Sequence, residues 1–82
     1  MTPRIFVDFH NLDPQGRVRL NTVGTRNDLA RCGTQLEPGL ELLLYDNEEF
    51  EVDGTAEWSA ESGIWVATFN WNLRRSVQST QN

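Results

Sequence analysis

Short stretches of alternating apolar and polar residues recur along the chain, each closed by residues that favour turns. In residues 4–10, Ile5, Val7 and Phe9 fall on one face of an extended strand and Phe6, Asp8 and His10 on the other. Asn11-Leu12-Asp13-Pro14-Gln15-Gly16 reads as a turn, because Asp-Pro presets its start and Gly16 is free to adopt a positive φ. Residues 17–20 alternate again, with Val18 and Leu20 inward and Arg17 and Arg19 outward. This adjacency predicts a hairpin of residues 4–10 with 17–20.

The second half repeats the rhythm. A turn at Glu37-Pro38-Gly39 introduces residues 40–45, with Leu40, Leu42 and Leu44 on one face and Leu43 and Tyr45 beside Glu41 on the other. The acidic stretch 46–53 follows, then Gly54, a strand-like piece to Trp58 and a turn over 59–63. Residues 64–71 set Trp65, Ala67, Phe69 and Trp71 opposite Ile64, Val66, Thr68 and Asn70. Strands apolar on both faces are expected where both are covered. A chain of 82 residues has little spare material for that, so the cover is expected from the 21–34 connection, the tail, a second copy or a partner.

Residues 21–34 admit two readings. Thr25-Arg26-Asn27-Asp28 places a carboxylate three positions after a capping threonine, a variant of the capping box. Leu29 to Cys32 would then complete at most one short helical turn over 25–32, stopped by Gly33. The other reading is an extended connection with one 3₁₀ turn. From Asn72 the chain turns polar, which predicts a single domain over 1–73 and a frayed tail over 74–82.

The pattern Leu36-x-x-Gly39-x-x-Leu42-x-Leu44-x-Asp46, followed by Gly54 and by Gly63-Ile64-Trp65-Val66-Ala67, resembles the small SH3-like barrels over residues 36–71. The resemblance implies an all-β fold, a small antiparallel barrel of about five strands, with an OB-like barrel as the alternative. That broad group includes ribosome- and transcription-associated modules and protein-interaction domains. The acidic run departs from its nucleic-acid-binding members, and the resemblance carries no functional residue to this chain.

Composition narrows the function. A lone cysteine, Cys32, excludes an internal disulfide framework and suits a reducing compartment. Asp8 interrupts the N-terminal segment too early for a signal peptide, and no run reaches the ~20 apolar residues of a membrane span. A soluble, cytoplasmic protein without membrane association is expected. The net charge of −5 opposes nucleic-acid binding, which is driven largely by neutralising phosphates. All seven basic residues are arginine, which reads first as a bias of the source genome and second as selection for planar recognition of phosphate or carboxylate.

No nucleophile motif, phosphate loop or paired-cysteine signature is present, so neither catalysis nor a cofactor is expected. Asp8 and His10 share a face at a strand end, where a solvated pair is the simpler reading than a general base. Cys32 beside Arg31 reads as a small half-buried turn residue rather than a reactive thiol. The run 46–53 holds five carboxylates without the ordered spacing of a calcium loop. Alternation would make Glu49, Glu51 and Asp53 a solvated stripe, with Phe50 and Val52 inward.

The aromatic residues remain. A domain this small struggles to bury three tryptophans, so at least one of Trp58 and Trp71 is expected to be exposed as part of an interaction surface. The favoured expectation is a non-catalytic protein-interaction module, binding a partner or itself through Trp58, Trp71 and Tyr45 with Arg17 and Arg19 nearby. The alternative is an RNA- or DNA-binding or ribosome-associated module in which Arg17, Arg19, Arg26 and Arg31 form a basic patch.

Overall fold

The computed structural model describes residues 2–47 and 50–76. Its elements run β1 (Arg4–Phe6), β2 (Val18–Arg19), α1 (Val23–Cys32), β3 (Glu41–Tyr45), β4 (Phe50–Ser59), β5 (Ile64–Phe69), a 3₁₀ turn (Trp71–Leu73) and β6 (Arg75–Ser76). The strands form one sheet in the order β1-β3-β4-β5-β2, with β6 also on β4. The molecule is thus mostly strand, a curled half-barrel carrying one helix.

The alternation of residues 4–10 and 17–20 assigns the buried face correctly: Ile5, Val7, Val18 and Leu20 are all buried. The predicted hairpin between them does not form. β1 lies parallel to β3, with Arg4 opposite Leu43 and Phe6 opposite Tyr45, while β2 pairs antiparallel with β5. Alternation determines which side chains face the core but leaves the choice of neighbour open. Here the turn after β1 folds back on itself instead, and Leu12 bridges Val18. The buried carboxylate of Asp13 pins that turn, accepting from the N–H groups of Gln15 at 2.9 Å and Arg17 at 2.8 Å.

The antiparallel meander β3-β4-β5 supplies most of the inner face. Leu42, Leu44, Val52, Ala56 and Ala67 join Ile5 in one core cluster, against which Leu29 and Leu36 pack. Each such leucine contributes about 2 kcal/mol by leaving water. Gly54 is needed where β4 passes Leu44: an added Cβ would lie 2.6 Å from Leu44 Cδ1 and 3.0 Å from the Thr68 carbonyl oxygen. The opposite face is covered in part by the chain itself. Val66 is fully buried outside the main cluster, in register with Arg19 and Glu57. Arg4 lies over the Tyr45 ring at 3.8 Å.

The connection is a ten-residue α-helix, longer than the single turn expected. Its cap is Thr22, whose hydroxyl accepts the Thr25 N–H at 3.2 Å. Gly33, at φ 63°, ends it, and the Thr34 N–H returns to the Leu29 carbonyl at 3.0 Å. Thr25 and Asp28 are therefore not a cap. Spaced three apart, they share one helix face and reach β1: Thr25 Oγ1 donates to the Phe6 carbonyl at 2.7 Å, and Asp28 accepts the Phe6 N–H at 2.9 Å. The helix thereby closes the outer edge of β1. Cys32, expected half-buried in a turn, is exposed in the last helical turn.

The segment expected to fray begins with β6, where Ser76 pairs with Phe50 and Arg75 with Glu51. Residues 77–82 of that expected tail, and Glu48 and Glu49 of the acidic run, lie outside the described residues. Among the described residues no helix is long and apolar enough to cross a membrane.

Candidate functional site

Exposed tryptophans mark the two ends of the β4–β5 pair. Trp58 and Trp65 face each other across β4 and β5 at one end, with ring centroids 5.5 Å apart and edge to face. Trp58 is half exposed. It borders an open recess of about 290 Å³ shared with Leu29, Leu36 and Arg26.

The other end is built where β5 leaves the sheet. Asn70 caps the 3₁₀ turn by accepting the Asn72 N–H at 3.0 Å, and this brings Trp71 back over the mouth of the half-barrel. There the indole meets Phe9 at 5.0 Å, Phe50 at 5.7 Å and Phe69 at 6.2 Å, all near edge to face. Trp71 and Leu12 are each 39% exposed and Leu73 is 65% exposed. Phe9, Leu12, Gly16, Phe69 and Trp71 line a recess of about 370 Å³. Arg74 completes the group, its guanidinium carbon 4.5 Å from the Trp71 centroid and 5.3 Å from that of Phe50.

The other predicted site residues are bonded within the fold. Tyr45 is half-buried, and its hydroxyl donates to Asp28 at 2.6 Å. That bond, followed by burial, raises the Tyr45 pKa. Burial alone would push the Asp28 carboxyl up, but the bonds from Tyr45, the Phe6 N–H and Arg31 outweigh it and hold the group below its ordinary value. Arg17 donates to Asp13 at 2.8 Å and to Glu57 at 3.1 Å. Asp13 behaves as Asp28 does: burial raises it, and the bonds from Arg17 and Gln15 lower it further than burial lifts it. Arg19 donates to the Leu12 carbonyl at 2.8 Å, and Arg31 pairs with Asp28 at 2.6 Å. Of the four arginines considered for a nucleic-acid patch, Arg17, Arg19 and Arg31 are bonded within the fold, and Arg26 lines the recess beside Trp58.

The remaining chemistry is sparse. The main-chain N–H of His10 donates to the Asp8 carboxylate at 2.9 Å. Among the described residues no three His, Cys, Asp or Glu side chains come together as a ligand set.

Phe9, Phe50, Leu12, Leu73 and Arg74 were not among the residues that the sequence marked as a site. Phe9 and Phe50 read as inward strand positions, and Arg74 read as the start of a tail. The signal that would have found them is the Asn-x-Asn flanking of Trp71, which marks a turn rather than a continuing strand. Comparisons with protein-family models, with characterised proteins and with solved structures gave no match to this chain.

Proposed function

We propose that the protein is a non-catalytic interaction module that binds a segment of another protein through the surface around Trp71. The observation that carries this reading is the state of Trp71 itself. Its ring is fixed by three aromatic neighbours, yet a large part stays in water beside exposed Leu12 and an open apolar recess. A rigid, exposed indole loses little conformational freedom on binding, and tryptophan and arginine are enriched among residues that dominate binding energy. Both outer sheet edges are already bonded, Phe6 of β1 by the Thr25 and Asp28 side chains and β2 by the main chain of residues 11–13. A partner is therefore recognised by side chains rather than by strand addition.

The test compares wild type with a Leu12→Asp/Leu73→Asp double variant, both checked for fold by circular dichroism. A protein captured from cell extract is purified and its binding to each measured directly. Binding to wild type that is lost in the double variant is the expected result. Equal binding to both, or no purified protein that binds, would overturn the reading. A dimer seen by sedimentation in wild type alone would reassign the surface to self-association.

A further inference from the structure

Phe50 and Trp71 meet at 71° to form a corner of two ring faces, and a guanidinium already sits in it. Both distances to Arg74 fall within the ~6 Å range of cation–π attraction. The corner is therefore built to hold a planar cation. Arg74 itself is held there weakly. It is exposed, and among the described residues no carboxylate pairs with its guanidinium, which donates to the Trp71 carbonyl, its near neighbour, at 3.0 Å. Arg17, Arg31 and Arg75, by contrast, each have a carboxylate partner.

Resting on the reading of the Trp71 surface as protein-binding, we propose that the Phe50–Trp71 corner recognises an arginine side chain of the partner segment. Arg74 is its internal occupant, displaced on binding. Charge complementarity favours this occupant: the chain carries −5 overall, and β4, the strand that bears Phe50, carries Glu51, Asp53 and Glu57 and no basic residue. The adjoining recess beside Trp71 takes an apolar neighbour of that arginine. Because the internal guanidinium must leave first, apparent affinity is reduced by the fraction of molecules in which the corner is open.

The experiment is a ¹⁵N NMR titration of the full chain with N-acetyl-arginine methylamide, following the Trp71 indole N–H, with the neutral citrulline analogue as control. Wild type, Arg74→Ala and Trp71→Leu are compared, each with the dispersed spectrum of a folded chain. A saturable arginine-induced shift is expected, absent with citrulline. If Arg74 fills the corner about nine-tenths of the time, Arg74→Ala tightens it about tenfold. In Trp71→Leu, the arginine-induced shifts at Phe50 and Gly16 amides disappear. No saturable shift in Arg74→Ala, an equal response to citrulline, or equal affinity with and without Arg74 would overturn the proposal. If arginine fails while partner capture still requires Leu12 and Leu73, only the cation specificity falls. If capture is also indifferent to those leucines, the underlying reading falls with it.

Discussion

Asp28 on the helix accepts the main-chain N–H of Phe6 at 2.9 Å, so a side chain takes the place a neighbouring strand would fill on β1. The same carboxylate accepts from the Tyr45 hydroxyl and from Arg31, both at 2.6 Å. One residue thus ties together β1, α1 and β3. Asp28→Ala leaves a part-buried N–H and a half-buried hydroxyl without an acceptor and is expected to cost about 2–4 kcal/mol in urea unfolding. Arg31→Ala removes only an exposed partner and should cost under about 1 kcal/mol.

The two buried aspartates are expected to make the fold sensitive to acid. Asp13 and Asp28 are both held below the ordinary value of 3.8. As pH falls, the unfolded chain takes up these protons before the folded one does. Their stabilisation is therefore complete well above pH 3.8 and is lost as pH drops through the lower folded values. Denaturant midpoints should fall between pH 5 and pH 2, and the fall should be shallower in Asp13→Ala and in Asp28→Ala. At the alkaline end the raised Tyr45 works the other way: its contribution is present below 10.0 and lost as pH rises through the folded value.

Gly54→Ala places a methyl group 2.6 Å from Leu44 Cδ1 and 3.0 Å from a backbone carbonyl on the adjacent strand. The leucine can yield only by leaving its rotamer in a filled core, and the carbonyl cannot yield without bending β5. A loss of about 1–3 kcal/mol is expected, read as a lower thermal midpoint with an unchanged far-ultraviolet spectrum.

Trp58 and Leu44 provide a contrast between surface and core. Half of Trp58 remains in water, whereas Leu44 has no exposed surface. Trp58→Ala should cost about 1 kcal/mol or less, while Leu44→Ala should cost about 2–5 kcal/mol. Equal losses in calorimetry would show that the Trp58–Trp65 contact is part of the core.

The sequence was legible wherever burial depends on period alone. Ile5, Val7, Val18, Leu42, Leu44 and Val52 all point where alternation sends them. It offered only one turn of α1, over 25–32, because the helix docks on β1 through Thr25, Asp28 and the close approach of Gly24 to the Phe6 ring, which no hydrophobic period marks. It misassigned the partner of β1 because parallel pairing joins segments far apart in the chain, and local turn chemistry carries no record of that. The exposure of Trp58 and Trp71 followed from simple crowding. The ring corner around Arg74 did not, since its residues come from a strand, a turn and the segment beyond it.

The parallel pairing of β1 also fixes an order of events. One side of that strand is completed by α1 and the other by β3, and both are synthesised after it. During translation β1 thus has no strand partner until β3 has left the ribosome. β2 waits longer still, because its partner β5 is made after β3 and β4, so both edges of the sheet depend on residues far downstream of them.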